Sequence, residues 1–379
     1  MSFMTAFMLI SALQVGSTSQ DLPQAVEASP ELQVSEGQTT VNDSANDTVE
    51  KAVSPTTSAS QQSLVDEVAR QVLQAPNGFN PNSAESWLKR LARTIKSSSY
   101  EASFVLNVPG KDTQPFLWRH AVLEDGQHIE QLSSLNGPGF ENVRIDNVIS
   151  LFQPGYPPYS IYGDAIDGPI PVTLLNAPEQ LFQSYQFILV GRNRVAGRAA
   201  QQIRISSKDK TRYGYHIWLD EETGMLLKLN MYGLKGEMLQ QIQVTQLRVD
   251  ERIAEFFAQL QAETLPPVLN VKMPPQRKHQ WYLAFKPVGM KVVKQDVHQL
   301  PVTGQVVEYL LLSDGLVNVS VYVKADTGLF QEDVNLSNGA NSVHSRANGR
   351  VQVTVVGDVP LVTAQKIAES IEVLPQSVE

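Results

Sequence analysis

The sequence predicts an α+β protein built on a large antiparallel sheet, and two observations carry that prediction. In residues 203–247, apolar and polar side chains alternate with a period of two, as they do in a half-buried strand. The alternation recurs in the runs 213–219, 226–232 and 241–245, which are separated by turn sequences containing Gly224 and Gly236. Elsewhere, short strand-like runs and hairpin turns outnumber helical stripes, which favours one antiparallel sheet wrapped over a few helices.

A helix is predicted to begin near residue 83, before the first strand. Asn82 followed by Glu85 resembles a capping box. The apolar residues that follow share one helical stripe, which consists of Trp87, Leu88, Leu91 and Ile95. This helix therefore has one face to bury.

Further strands are predicted on both sides of a proline-containing break at residues 153–158. They are 100–106, 116–123, 129–132, 143–145, 148–152, 187–190 and 199–206. Short helices are predicted around 178–185 and at 252–262. The three prolines within the break, at positions 154, 157 and 158, are incompatible with regular ladder bonding, so an interruption of the sheet is expected there.

Prolines at positions 266, 267, 274 and 275 predict a semi-extended linker to a second, smaller unit. Strands are predicted there at 291–293, 305–312, 317–325 and 350–356. A terminal helix follows, with Thr363 as its N-cap and a buried stripe of Ile367, Ala368 and Ile371. The segment 331–348 is rich in Asn, Ser and Gly, which is typical of a mobile loop.

The chain is thus predicted to have five parts. Residues 1–16 are apolar but too short to span a membrane, and they resemble an export signal. Residues 17–80 are predicted to be a disordered tail, because most of this stretch is polar and has few aromatics. A half-barrel domain at 81–265, a proline-rich linker at 266–279 and a C-terminal domain at 280–379 complete the prediction.

Composition and motifs exclude several classes of function. A net charge of −9 without a basic cluster argues against nucleic-acid binding, and the absence of cysteine excludes disulfides and thiolate metal sites. The six histidines (120, 128, 216, 279, 298 and 344) never occur at metal-ligand spacing, and no phosphate-binding, dinucleotide or hydrolase motif is present. We therefore predict no cofactor, no metal and no enzyme activity, although a hydrolase with a triad from distant positions stays open as a third alternative. His120 is interpreted as a hydrogen-bonded core histidine and residues 220–222 as a solvated hairpin tip.

Large aromatic side chains recur across the strands of the first domain. They are Phe104, Phe116, Trp118, Phe140, Phe152, Phe182, Phe187 and Trp218. The pattern is compatible with a filled core and with a lined hydrophobic cavity, and the sequence does not separate the two. We predict that Trp118 and Trp218 both lie beside the apolar interior, because indole rings are seldom left exposed.

Several stretches resemble the RseB/MucB family in order and spacing, over about residues 84–374. They are WRHAVLEDG, LNGP, ISLFQPG, FILVGRNRVAGR, DKTRYGYHIWLDEETGMLLKLNMYGLKGEMLQQIQV, LSDGLVNVSVYV and VTVVGDVPLVTAQKIAESI. The resemblance implies an N-terminal half-barrel similar to the lipoprotein carriers LolA and LolB, plus a smaller C-terminal α/β domain. It also implies a periplasmic regulator of the sigma-E envelope-stress response that binds the periplasmic part of a membrane-anchored anti-sigma factor and protects it from regulated proteolysis.

The signal implied by this resemblance is a lipid, a lipopolysaccharide or the acyl chains of a lipoprotein, held by the eight aromatics named above. We expect partner contacts from an exposed strand at 317–323, through Val317, Val319, Val321 and Tyr322, and from the loop 331–348. The alternative is a periplasmic lipoprotein carrier of the LolA type, which would need only the first domain. Homo-oligomerisation also stays open.

Overall fold

The computed structural model describes residues 78–260, 265–269, 279–299, 304–328 and 332–374. All of them fall within the unit Gln74–Glu379. The predicted export signal, nearly all of the predicted disordered tail and most of the predicted linker lie outside the described residues. No helix in the described part of the chain is long and apolar enough to cross a membrane.

The first helix, α1 (Ala84–Ser97), begins one residue later than the capping-box prediction places it. Ser83 is the N-cap, and its side chain accepts a hydrogen bond from the Ser86 backbone N–H at 3.3 Å. The predicted apolar stripe is buried as expected, together with two alanines: Ala84, Trp87, Leu88, Leu91, Ala92 and Ile95.

One open antiparallel sheet of eleven strands dominates the first domain. Its strands are β1 (Tyr100–Asn107), β2 (Gln114–Val122), β3 (His128–Ser134), β4 (Glu141–Ile145), β5 (Val148–Phe152), β6 (Tyr159–Tyr162), β7 (Tyr185–Val195), β8 (Arg198–Ser207), β9 (Gly214–Asp220), β10 (Leu226–Tyr232) and β11 (Met238–Val249). The order is β6-β5-β4-β3-β2-β1-β11-β10-β9-β8-β7, so β6 and β7 are the two edges and the sheet is not closed into a barrel. The predicted α+β class is confirmed.

Pairing between β1 and β11 joins two meanders that are distant in sequence. Phe104 lies opposite Val244, next to a bulge between Ser103 and Phe104. One face of the resulting sheet packs on α1, on α2 (Val172–Asn176) and on a 3-10 turn (Pro178–Leu181), and we call it the helix-covered face. The other face is called the outer face.

A further helix, α3 (Ile253–Leu260), packs on the outer face. Phe257 and Ile253 form a small core there with Ala121 and Ile129, and the Arg119 guanidinium lies 4.3 Å from the centre of the Phe256 ring. The helix predicted at 252–262 is therefore present, and it covers the sheet from the side opposite to α1.

The second domain contains a two-stranded and a six-stranded antiparallel sheet. Its elements are β12 (Trp281–Leu283), β13 (Lys291–Gln299), β14 (Val306–Ser313), β15 (Asn318–Ala325), β16 (Val334–Asn338), β17 (Asn341–Ala347), β18 (Val351–Gly357), α4 (Leu361–Glu369) and β19 (Ile371–Val373). The order of the larger sheet is β13-β14-β15-β18-β17-β16, and β12 pairs with β19. Ile367 and Ala368 bury one side of α4, whereas Ile371 belongs to β19.

Three predictions for the second domain are wrong. Strand β15 lies between β14 and β18 with its backbone paired on both sides, and Val317, Val319, Val321 and Tyr322 are buried; none of them forms an exposed edge. The predicted mobile loop 331–348 contains the β16–β17 hairpin, in which Leu336 pairs with Val343. The N-cap of α4 is Pro360 rather than Thr363.

Candidate functional site

Four of the eight candidate ligand-binding aromatics form one group around β1 and β2 on the helix-covered face. The Phe104 and Phe116 rings are stacked with centroids 5.1 Å apart, and Phe140 lies 6.1 Å from Phe116. Trp118 follows two residues later on the same strand face and meets Tyr100 edge-on at 5.0 Å. We call Phe104, Phe116, Trp118 and Phe140 the aromatic group.

The other four candidates lie elsewhere. Phe182 and Phe187 pack on each other at 5.3 Å next to the β7 edge. Phe152 pairs with Glu141 on the outer face. Trp218 also lies on the outer face, where it pairs with Lys228, whose Nζ is 5.2 Å from the ring centre. Trp218 is buried and packs in the hydrophobic core, as predicted, but it lines neither of the two cavities described below, because its neighbour Ile217 takes the helix-covered position.

Two adjoining cavities separate the aromatic group from the segment 164–176. The smaller has a volume of about 30 Å³ and is lined by Phe104, Trp118, Leu132, Ile170 and Leu175, among others. Such a volume has room for little more than one water molecule, so the aromatic side chains are packed as a filled core in this conformation. The larger cavity has a volume of about 140 Å³ and is lined by apolar side chains and by eight polar or charged ones: Lys96, Tyr100, His120, His128, Glu130, Arg144, Asp164 and Asn176.

An ion pair forms the polar side of the larger cavity. Arg144 Nε lies 2.8 Å from Glu130 Oε2, and Trp118 Nε1–H donates to Glu130 Oε1 at 2.9 Å. The Tyr100 hydroxyl is buried and has no hydrogen-bond partner among the described residues. Burial, followed by the charge of Glu130, raises the pKa of Tyr100 well above its ordinary value, so this phenol stays neutral.

His120 closes the same cavity next to the end of α1. Its Nδ1 lies 2.9 Å from the Ser98 carbonyl oxygen, so Nδ1 carries the proton, and its Nε2 lies 3.5 Å from His128 Nδ1. Burial lowers the pKa of His120 from its ordinary value. These contacts are those of a hydrogen-bonded core histidine. No group of acidic or histidine side chains in the described part of the chain is arranged to hold a metal ion.

A second set of polar residues joins the two domains, and we call it the junction cluster. Arg212 Nη1 lies 2.7 Å from Asp314 Oδ2, and both side chains are 0% exposed. The Tyr185 hydroxyl donates to the same Asp314 oxygen at 2.8 Å. Arg212 also binds Asp209 at 3.0 Å and the Val288 carbonyl oxygen at 2.9 Å.

Backbone contacts complete the junction. Val288 N–H donates to Asp209 Oδ2 at 2.7 Å, and Thr363 Oγ1 donates to the Thr211 carbonyl oxygen at 2.6 Å. Burial alone would raise the pKa of Asp209, but the Val288 and Thr211 hydrogen bonds and the Arg212 charge hold it below its ordinary value. This cluster was not predicted from the sequence, in which its one local signal is the Ser313-Asp314-Gly315 turn.

These observations define a two-domain α+β protein in which an open, helix-covered sheet is fastened to a smaller sheet domain by a buried ion pair. Residues 83–269 match the model of the MucB/RseB N-terminal domain, and residues 275–372 match that of the MucB/RseB C-terminal domain. The chain belongs to the MucB/RseB family.

Named relatives match both domains. The sigma-E factor regulatory protein RseB of Salmonella typhimurium is 32% identical over 80% of this chain and 95% of its own. The sigma factor AlgU regulatory protein MucB of Pseudomonas aeruginosa is 33% identical over 76% of this chain and 90% of its own. Among solved structures, MucB in complex with MucA(peri) superposes with a TM-score of 0.61 and 32% identity, covering 77% of this chain and 100% of that one.

Proposed function

We propose that the protein is a periplasmic regulator of the sigma-E envelope-stress response that binds the periplasmic part of a membrane-anchored anti-sigma factor. One observation carries the proposal: this chain spans the whole of the MucB chain that was solved with MucA(peri). The relatives named above are regulatory proteins by name, and we infer that this chain likewise acts by binding rather than by turnover. In the bound state it would shield the anti-sigma factor from the regulatory protease.

The aromatic group is the part of the molecule that would sense a lipid or lipoprotein signal. Ligand pockets for small molecules usually have volumes of about 300–1,000 Å³. The cavities of 30 and 140 Å³ are smaller, so an acyl chain would have to separate the segment 164–176 from Phe104 and Trp118. Burying the acyl chain contributes about 0.8 kcal/mol per methylene, and this free energy would offset the cost of that separation.

The junction cluster would couple lipid binding in the first domain to release of the partner. Residues Asp209 and Arg212 lie between β8 and β9, and Tyr185 begins β7, so the junction is built on the same sheet as the aromatic group. A ligand that prefers an opened first domain would shift the protein towards a different domain arrangement, and only to the extent of that preference. A partner held by both domains would then be released.

The alternative is a periplasmic lipoprotein carrier of the LolA type. A helix-covered open sheet with an aromatic group suits such a carrier. The fully buried Arg212–Asp314 pair favours the regulator, because a carrier would not need a second domain fastened with such specificity.

The test uses the complete mature protein and the periplasmic part of the anti-sigma factor from the same organism. We expect a defined complex in calorimetry, slower cleavage of the anti-sigma factor by its regulatory protease, and release when micellar lipid A or a triacylated lipopeptide is added. Transfer of a lipoprotein between membranes without any anti-sigma complex would establish the carrier instead. Hydrolysis of esters or glycosides would contradict a purely binding role.

A further inference from the structure

The two edge strands of the eleven-stranded sheet differ in whether another segment of the chain covers them. At the β6 edge, Ser160 N–H donates to the Pro267 carbonyl oxygen at 3.0 Å, and Leu269 N–H donates to the Ser160 carbonyl oxygen at 2.8 Å. Residues 266–269 thus lie along β6 in parallel and occupy part of its edge. At the other edge, β7 pairs with β8 and with no other described strand.

Strand β7 is long and carries exposed apolar side chains on its open edge. The strand has 11 residues and contains no proline, and Ile188 and Val190 are 39% and 53% exposed. Natural edge strands are usually short, charged, covered or interrupted by proline, because free backbone groups invite pairing with another chain. The protection here consists of a bulge between Leu189 and Gly191 and of two arginines, Arg192 and Arg194, whereas residues 185–190 carry no charge. Exposed apolar residues on an open edge are typical of strands that bind by addition of a partner strand.

The charge of this region contrasts with that of the whole protein. Residues 185–208 contain five cationic residues and no Asp or Glu, within a chain of net charge −9. Asp220 and Glu222 bind Arg198, and Glu221 binds Arg192 at 3.0 Å. Arg194 and Arg204 are exposed and have no carboxylate partner among the described ion pairs. Arg204 lies opposite Ile188, so a cation and an apolar side chain stand together on the outer face.

We propose that the β7 edge is a strand-addition site for an extended, acidic segment of a partner polypeptide. The partner backbone pairs with β7, apolar side chains pack next to Ile188 and Val190, and carboxylates approach Arg194 and Arg204. Tyr185, at the start of β7, belongs to the junction cluster, but the proposed contacts at Ile188, Val190, Arg194 and Arg204 involve neither that cluster nor the aromatic group. The proposal therefore does not depend on the proposed function.

The other described edges suit such a segment less well. Strand β13 has two lysines but also Asp296, which lies 4.0 Å from Lys294 and 3.5 Å from His298 and would repel an acidic segment. Strand β16 has 5 residues and is mainly polar. An anionic membrane surface would satisfy the arginines, but it has no backbone to pair with β7, and it becomes an outcome of the test.

The test uses the complete mature protein and a fluorescent peptide of about ten residues in the repeat Val-Val-Glu-Glu, which places both residue types on each face of an extended strand. We expect saturable binding, at least about tenfold weaker for a peptide with Lys in place of Glu, because like charges then face each other. Hydrogen exchange should slow at residues 185–195 and not at 291–299. Two further peptides are methylated on alternate backbone nitrogens, one on the odd and one on the even positions, and they separate backbone pairing from charge attraction. Only the peptide whose methylated nitrogens point towards β7 should lose binding.

Matched variants complete the design. Arg204→Glu should weaken peptide binding about tenfold, whereas Arg350→Glu, at an exposed arginine of the second domain, should not. Both are surface changes, and unchanged unfolding curves would show that the folds are intact. Equal binding of both methylated peptides, protection at β13 instead of β7, or Arg204-dependent binding to phosphatidylglycerol vesicles without peptide binding would each overturn the proposal.

Discussion

Arg212 of the first domain and Asp314 of the second form an ion pair from which water is fully excluded, with Nη1 and Oδ2 2.7 Å apart. The two residues are 102 positions apart in sequence. Removing one partner of such a pair leaves an uncompensated buried charge, which costs far more than a surface pair contributes. The domain arrangement therefore depends on this contact.

We expect Asp314→Asn to lower the free energy of unfolding by about 3 kcal/mol, because Arg212 then stays buried with only Asp209 as a counter-charge. Urea unfolding monitored by tryptophan fluorescence would measure it. Glu369→Gln is the control, since it removes a partly exposed pair with Arg346 at 3.6 Å, and it should cost less than about 0.5 kcal/mol. Equal losses in the two variants would contradict a special role for the junction.

Gly289 lies at the junction, where we expect any side chain to clash with Ser184 and to destabilise the fold. Its φ is +80°, and a Cβ there would overlap Ser184 Oγ and lie 2.9 Å from Ser184 Cβ. Gly126 has a similar φ of +85° with nothing within 4 Å, so Gly126→Ala measures the backbone cost alone, about 1–2 kcal/mol. Gly289→Ala should cost clearly more in the same unfolding assay, and Ser184→Gly in the same chain should recover part of the difference. A Gly289→Ala loss no larger than that of Gly126→Ala would remove the steric argument.

Trp118→Ala should lower the free energy of unfolding by about 3–5 kcal/mol, because it empties a packed site between β2 and the segment 164–176. The change also removes the indole donor to Glu130. Tyr162→Ala, at a side chain that is 72% exposed, is the control and should stay within about 0.5 kcal/mol. Denaturant unfolding of both variants would decide, and a Trp118→Ala loss as small as the control would mean that the aromatic group is loosely packed.

His120 should make stability depend on pH. Its pKa is lowered, chiefly by burial; the Ser98 carbonyl and Glu130 oppose the shift, whereas Arg144 and His128 add to it. Because the folded-state pKa lies below the unfolded value of about 6.5, stability is complete above that pH and falls as the pH drops towards the folded value. The free energy of unfolding should therefore decrease as the pH is lowered from about 7.5 through about 6.5, and level off below the folded-state pKa.

His120→Asn should flatten that decrease, since the amide can still donate to Ser98 but does not titrate. An unchanged slope in His120→Asn would assign the pH dependence to other groups.

Much of the local structure could be predicted because it depends on periodicity within one segment. The stripe of α1 and the alternation of β9, β10 and β11 follow from the spacing of apolar residues, and each was found near its predicted position. The family resemblance also came from linear stretches. The aromatic group was predictable only in part. Phe116 and Trp118 are two residues apart on one strand, so the sequence places them on the same face. Phe104 lies on the neighbouring strand, and its position beside them depends on how the two strands pair.

The tertiary structure alone decided which strands lie next to each other and which face of each strand is covered. A period of two tells that Ile217 and Trp218 point to opposite sides, but α1 decides which side is covered, and it covers Ile217. Strand order made β15 central, because β18 returns beside it from a distant part of the chain. The Arg212–Asp314 pair likewise exists only after the two domains meet, since a buried charge is stabilised by a partner in space and not by its neighbours in sequence.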